Sequence, residues 1–479
     1  MIHIKNKFHL SHKFLWMMVI CLSLTPLLAI FQAQAENPEN PKWQKWLKMN
    51  SHPIEKTRPE VGDYYRDLRF LDQVLKNKRI VFLGESSHGA AEFNSTKVRL
   101  VQYLHEKQGY QVLAFESGLG ELFAVDAQID KQAAVQSMKD GLFDIWQTKE
   151  GLPLFEYIKK NSTTQNRLQL AGMDMQPVGS YGTFLSNWFQ KIDPQMGKLA
   201  KRTEERFAES LQQSDIEAFH HDQQKMIGAY QTLYQFTKRH EKKLSQIYPN
   251  SPNLLKGTQY VLQDRIHSVT KVMPFYVSYN NYLQAGNKPL ANKAFDDYYV
   301  ARDQAMSKNL VWLTETLYPN QKIIVWAHNL HIRKNNPQTQ NPNRRSVNSL
   351  DHLLPAKIRQ QSYIIGLYMN RGVSALNDRK PLKVQYPHPI GTVESILSKA
   401  GYPNLFVDLS RAKKREETSW MYTKRGILDW GGWDEQLVPK DQYDGILFID
   451  QVHMPHYLSE KSTDKIIPYF SDISDPKEK

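Results

Sequence analysis

Three histidines and several carboxylates in this chain stand just after short apolar runs, the places from which side chains of an open α/β sheet reach a ligand. Ile80 to Leu83 leads into Gly84-Glu85-Ser86-Ser87-His88-Gly89, and Val112 to Phe115 into Glu116-Ser117-Gly118. Leu168 to Ala171 leads into Gly172-Met173-Asp174, and Ile323 to Trp326 into Ala327-His328-Asn329-Leu330-His331. Imidazole accepts a proton near neutral pH, and a carboxylate beside it holds the tautomer and stabilises the cation that forms. His88 with Glu85 or Glu116 supplies such a pair. A second imidazole or a lysine can then donate to the oxygen that turns negative when a carbonyl is attacked. His328, His331 and Lys97 are the candidates for that role. Asp174 alone reads equally well as a cap or a loop ligand, but four successive exits with ionisable groups at one edge point to a site.

Other chemistries compete for the same residues. Ser86 and Ser87 lie in a glycine-rich turn, yet a nucleophile elbow needs Gly-x-Ser-x-Gly and no glycine stands two places after Ser86. Both serines are expected to cap the next helix, with a serine nucleophile as an alternative. His328 and His331 have the spacing of one helical face and, with His88 and a glutamate, could make a zinc site. Neither His-Glu-x-x-His nor paired cysteines occur. No cofactor is therefore expected, with a metal-dependent hydrolase as the alternative.

A sheet must position these groups. Seven runs are apolar almost throughout, as strands buried on both faces are: the four above, Tyr363 to Leu367, Leu405 to Val407 and Ile446 to Ile449. Helix-like stretches separate many of them, which predicts an α/β fold with a mainly parallel sheet and helices on both faces. From about Thr183 to Gln284 the chain changes to long, charged, amphipathic segments such as Met196 to Leu211 and Ile216 to His240, which predicts a helical inserted subdomain. The expected division is a first part of the core over 36–182, the insertion over 183–310, a second part of the core over 311–459 and a loosely held charged tail over 460–479. Tyr248 to Asn253 and Asn335 to Asn343 read as loops.

Of the 479 residues, 41% are hydrophobic and 11% aromatic, enough to bury a large core and to exclude a disordered chain. Lys5, Lys7 and Lys13, an apolar run from Phe14 to Phe31 and Ala33-Gln34-Ala35 have the three parts of a secretory signal. Cleavage after Ala35 is expected, with a periplasmic or secreted product and no stable membrane anchor; the alternative is an uncleaved anchor, which Pro26 argues against. The single cysteine, Cys21, lies inside that run, so the mature chain has neither disulfides nor a cysteine nucleophile. The formal charge of +13 loses three lysines with residues 1–35, leaving +10. Basic residues mostly lie beside acids, as in Lys413-Lys414-Arg415-Glu416-Glu417, and no basic stripe is interleaved with aromatics, so no nucleic-acid partner is expected.

The motifs together resemble the erythromycin esterase family. The resemblance runs through Gly84-Glu85-Ser86-Ser87-His88-Gly89, Glu92-Phe93, Lys97, Phe115-Glu116, Arg302-Asp303 with Met306, Trp326-Ala327-His328-Asn329-Leu330-His331, Gly391-Thr392-Val393-Glu394 and Tyr443-Asp444-Gly445. It spans roughly Ile80 to Ile449. It implies an α/β core with a helical subdomain that forms one wall of a cleft, and hydrolysis of a macrolide lactone or another bulky ester by histidine-activated water. On that analogy His88 is the general base, Glu85 and Glu116 position it, and His328 and His331 bind or polarise the substrate. Asp174, Arg302 and Asn329 are the further substrate-binding positions. Lys97 stands where most relatives have arginine, so the charge is kept and the planar fork is lost. Related folds include exported haem-binding proteins, in which the three histidines would face iron; such a protein would need no glutamates around them.

Overall fold

The computed structural model describes residues 40–341 and 347–459. The expected signal (1–35) with Cys21, the tail (460–479) and the end of the Asn335 to Asn343 loop lie outside the described residues. The strands are β1 (Ser51–Pro53), β2 (Ile80–Leu83), β3 (Tyr110–Gly118), β4 (Gln169–Asp174), β5 (Lys322–Trp326), β6 (Ser362–Ala375), β7 (Pro381–Lys383), β8 (Leu405–Asp408), β9 (Arg425–Asp429), β10 (Trp433–Leu437) and β11 (Gly445–Val452). The main sheet has the order β1-β8-β11-β6-β2-β5-β3-β4, with β7 paired to β6. All neighbours from β11 across to β4 are parallel, whereas β8 on β11, β1 on β8 and β7 on β6 are antiparallel. The sheet is thus mainly parallel, as expected, with an antiparallel edge. β9 and β10 form a separate hairpin.

Each of the seven apolar runs is a strand, and their lack of alternation has a direct cause. In β2, Ile80 and Phe82 enter one core while Val81 and Leu83 enter the other. In β5, Ile323 and Val325 take the first face and Ile324 and Trp326 the second. Successive side chains of a strand point to opposite faces, and with helices on both faces neither set can be polar.

Helix α1 (Ala91–Gln108) connects β2 to β3. Between β4 and β5 the chain forms α2 (Tyr181–Phe189), α3 (Pro194–Ser210), α4 (Ile216–Arg239), α5 (Glu241–Ile247), α6 (Leu254–Lys271), α7 (Met273–Gln284) and α8 (Lys288–Trp312). Local chemistry starts two of these sharply. Asp193 accepts from the Gln195 N–H at 2.8 Å with Pro194 in the first turn, and Asp215 accepts from the Ala218 N–H at 3.0 Å. α8 continues past 310, where the second part of the core was expected to begin, and the Asn309 side chain fastens it to β4 by donating to the Met173 carbonyl at 3.0 Å. Two shorter helices, α9 (Asn329–Ile332) and α10 (Val393–Leu397), follow β5 and β7.

Candidate active site

The turn after β2 is pinned on every side. Gly84 N–H donates to the Ile365 carbonyl at 2.8 Å and Ser86 N–H to the Leu367 carbonyl at 3.0 Å, both on β6. The Glu85 carbonyl accepts from Asn329 N–H at 2.8 Å, and the Gly89 carbonyl from Ala375 N–H at 2.8 Å. Its two glycines are required by close approach: a Cβ at Gly84 would meet Asn329 Oδ1 at 2.1 Å, and one at Gly89 would meet the Ala375 carbonyl oxygen at 2.0 Å. The expected capping role of the serines is not seen. α1 begins after Ala90 with no side-chain cap, and Ser87 Oγ instead accepts from Gly89 N–H at 3.1 Å inside the turn. Placing the glycine bridge between Gly89 and Ala375 before the helix leaves the serines too early in the chain to reach its first N–H groups.

His88 and Glu85 face one another across this turn, with Nδ1 2.6 Å from Oε1. Trp146 Nε1 donates to the same oxygen at 2.8 Å. Lys97 Nζ lies 2.5 Å from Glu85 Oε2 and 4.1 Å from the centre of the Trp326 ring, with no exposed surface. Burial alone would raise the Glu85 carboxyl, but Lys97 and His88 outweigh it and hold the group below its ordinary value. Burial lowers the Lys97 ammonium to about 8. An ionised Glu85 can only accept, so the His88 proton sits on Nδ1 and the Nε2 lone pair is left available. Lys97, considered above as a donor to a reacting oxygen, is therefore placed behind the dyad as the counterion of Glu85.

Glu116 sits where β3 slips one residue against β4, between the pairs Phe115 with Gly172 and Gly118 with Asp174. Such a bulge redirects a side chain. Its Oε1 lies 2.9 Å from His331 Nε2 and accepts from Arg302 Nη2 at 3.0 Å, and its Oε2 accepts from His328 N–H at 2.8 Å. Burial would raise this carboxyl, but His331, Arg302 and His88 together hold it well below its ordinary value. Glu116 thus holds the two distal histidines; the carboxylate bonded to His88 is Glu85.

Arg302 donates from Nε to Asp174 Oδ2 at 3.0 Å, and its Nη2 is ion-paired to the same carboxylate. His331 Nδ1 lies 2.6 Å from Asp303 Oδ1, so both of its ring nitrogens face carboxylates. Tyr299 stacks on that ring with centroids 5.1 Å apart. Tyr299, Arg302, Asp303 and Met306 occupy one stripe of α8 at three- and four-residue spacing. Asp174 and Arg302, expected to bind substrate, meet each other. Asn329, also expected there, is committed to β6: its Nδ2 donates to the Leu367 carbonyl at 3.0 Å and its Oδ1 accepts from Leu367 N–H at 3.4 Å.

His328 stands outside the one-turn α9 as its N-cap, its Nδ1 accepting from Leu330 N–H at 3.2 Å, so it does not share a helical face with His331. Burial, and secondarily the nearby His88, hold it well below the usual imidazole range. A neutral ring that accepts at Nδ1 carries its proton on Nε2. That N–H has no hydrogen-bond partner among the described residues. The ring packs 4.9 Å from His88, and Trp430 lies beside both, at 5.6 Å from His328 and 5.4 Å from His88. Among the described residues no group of three or more His, Cys, Asp or Glu is arranged to hold a metal ion. No helix among them is long and apolar enough to cross a membrane.

The structure therefore brings His88, Glu85, Glu116, Lys97, His328, His331, Asp174 and Arg302 to one edge of the sheet. It adds Asp303, Tyr299, Trp146 and Trp430. The erythromycin esterase family model matches residues 105–452. The chain is 34% identical over 447 residues to YbfO of Bacillus subtilis (strain 168), a protein that carries the name of a hydrolase, with 91% of this chain and 96% of that protein covered. It is 22% identical over 312 residues to the erythromycin esterase type II of Escherichia coli, covering 61% of this chain and 69% of that protein. A solved structure of a mutant of the erythromycin esterase EreC in its open conformation has a TM-score of 0.53 at 14% identity, covering 86% of this chain and 100% of that one. The chain therefore belongs to the erythromycin esterase family and is a hydrolase of that family.

Proposed function

We propose that the protein hydrolyses a bulky ester or lactone, a macrolide first among them, with His88 as general base toward water. The observation that carries this reading is the pairing of a carboxylate-held imidazole, His88 on Glu85 at 2.6 Å, with a neutral imidazole donor, His328, 4.9 Å from it. Water adds to the carbonyl carbon as His88 Nε2 takes its proton, and the imidazolium is stabilised by Glu85. His328 Nε2–H donates to the oxygen that becomes negative. The intermediate then expels the alkoxide, which takes the proton back from His88 to leave an acid and an alcohol. The step as written uses no metal. The Ala33-Gln34-Ala35 ending supports a periplasmic or secreted enzyme.

The preference for a macrolide rests on the family and on the name of the Escherichia coli relative. A panel of 14-membered macrolides and other bulky lactones, read by mass spectrometry for the gain of one water, tests it. Hydrolysis of a macrolide is the expected result. Turnover of other esters with every macrolide unchanged would remove the antibiotic and keep the reaction.

A further inference from the structure

One residue beside the two imidazoles is held in a conformation that needs explaining. Trp430, in the turn between β9 and β10, has φ 55°, a left-handed conformation that only Tyr65, Arg379 and Trp430 adopt among the described non-glycine residues. A side chain there is strained and persists only where the surroundings enforce it. Here they do. Trp430 N–H donates to the Ser86 carbonyl at 2.7 Å, and the Trp430 carbonyl accepts from Ser374 Oγ at 3.2 Å. On one flank Glu394 Oε1 takes the Leu428 N–H at 2.8 Å, and on the other Gln385 N–H donates to the Gly431 carbonyl at 2.8 Å.

This backbone delivers an indole into the site. The ring lies nearly parallel to His328, at 25° with centroids 5.6 Å apart, and edge-on to His88 at 83° and 5.4 Å. Trp430 is 1% exposed, and its Nε1–H has no hydrogen-bond partner among the described residues. Buried indole N–H groups normally find an acceptor, and leaving one unpaired is destabilising. His328 Nε2–H is in the same condition, since Asp429 Oδ1 lies 3.9 Å away, too far for a hydrogen bond. Two buried, uncharged N–H donors on adjacent rings, both against His88, suit an acceptor that arrives with the substrate.

We propose that Trp430 is a catalytic residue, its indole N–H joining His328 Nε2–H to bind the substrate carbonyl oxygen and the oxyanion formed from it. The proposal rests on the hydrolytic reading above. As the water oxygen bonds to the carbonyl carbon and its proton passes to His88, the carbonyl π pair moves onto the oxygen between the two donors. When that pair returns, the carbon–oxygen single bond of the ester breaks and the alkoxide takes the proton from His88.

The test combines a binding and a kinetic measurement on the full chain. In protein labelled with nitrogen-15 at the indoles, the Trp430 signal is identified by its absence in Trp430→Phe, a variant that keeps a ring against His328. Titration with phenyl methylphosphonate, an anionic mimic of the tetrahedral intermediate, is expected to move that indole proton downfield. With an ester that the wild type hydrolyses, Trp430→Phe is expected to lower kcat about 10²-fold with KM changed less than about threefold. An indole signal that no concentration of the phosphonate moves overturns the proposal. So does a folded Trp430→Phe protein with kcat within about threefold of wild type; hydrolysis itself then stands. A downfield shift in a protein that hydrolyses none of the esters upholds the donor pair and overturns the hydrolytic reading instead.

Discussion

Replacing Lys97 by methionine isolates the part of the site that keeps Glu85 charged. Both side chains are fully buried and their charged atoms lie 2.5 Å apart. At an effective dielectric constant near 20, charges that close attract by about 6–7 kcal/mol, which largely offsets the cost of taking both out of water. Methionine has a similar length and can pack on Trp326, over which Nζ now lies. It leaves Glu85 without its cation, and removing one partner of a buried pair costs about 3–5 kcal/mol. Glu85 escapes part of that cost by taking up a proton, and a neutral Glu85 cannot stabilise the His88 imidazolium. In Lys97→Met, kcat should therefore fall at neutral pH and partly recover as the pH is raised. In the double variant Glu85→Gln, Lys97→Met no buried charge is left unpaired, so most of the lost stability returns while kcat stays low. Thermal unfolding of the four proteins gives the coupling energy as a double-mutant cycle, and kcat against pH gives the protonation of Glu85. A coupling below about 1 kcal/mol, with the double variant as unstable as the two singles together, would refute the reasoning.

His88→Asn should lower kcat by a factor of about 10² to 10⁴ with an unchanged circular dichroism spectrum, because asparagine cannot accept the proton. Ser86→Ala and Ser87→Ala should stay within about tenfold, and a folded but inactive serine variant would move the nucleophile to that residue. Activity should survive exhaustive chelation; loss that zinc restores would make the histidines ligands. Burial pushes the Glu394 carboxyl from 4.5 to about 7. The folded protein then keeps a proton that the unfolded chain loses across that window, so Glu394 lowers stability as pH rises from 4.5 to 7 by about 3 kcal/mol. Glu394→Gln should leave the melting temperature unchanged near pH 4.5 and raise it at pH 8, and parallel curves for the two proteins would contradict this.

The main sheet was legible because strand segments buried on both faces must be apolar, and the runs inside β2 to β6, β8 and β11 are. β1 and β7 have three residues each, too few to show a pattern. β10, Trp-Asp-Glu-Gln-Leu, stands outside the main sheet and alternates with exposed polar residues, so it reads as loop. Trp430 was missed along with its hairpin, although Gly431-Gly432 beside a buried tryptophan was the available signal. Trp146 reaches Glu85 from a short 3-10 turn whose sequence carries no periodicity. Lys97 is different. It was read as a donor to the reacting oxygen, although Phe93, Lys97, Leu100 and Leu104 recur at helical spacing on the apolar face of α1, a signal that the lysine is buried and needs a carboxylate. Which carboxylate serves which histidine was not legible, because the bulge that turns Glu116 toward His331 is a property of strand register.

The charges around the site explain why its donors should be neutral. Glu85, Glu116, Asp174 and Asp303 set four carboxyl groups against Lys97, Arg302 and the His331 ring, which faces a carboxylate at each nitrogen. His331, with a carboxylate at each nitrogen, has its proton-accepting positions occupied, so it cannot be the base. His88 is the one imidazole of the three with an open nitrogen. Carboxylates close to His328, Glu116 on its backbone N–H and Asp429 3.9 Å from its Nε2, oppose an oxyanion nearby. A cation brought in to hold that oxyanion would also repel the proton from His88 and weaken the base. An uncharged N–H donor avoids the conflict, because its dipole acts at hydrogen-bond distance and adds no net charge at His88. Burial that keeps His328 neutral, and Lys97 placed behind Glu85 away from the reacting oxygen, are in this light two parts of one arrangement. The corresponding variant is His328→Lys: a cation beside His88 should lower kcat further than His328→Gln, which keeps a neutral donor there. A folded His328→Lys protein with kcat at or above that of His328→Gln would sink the argument.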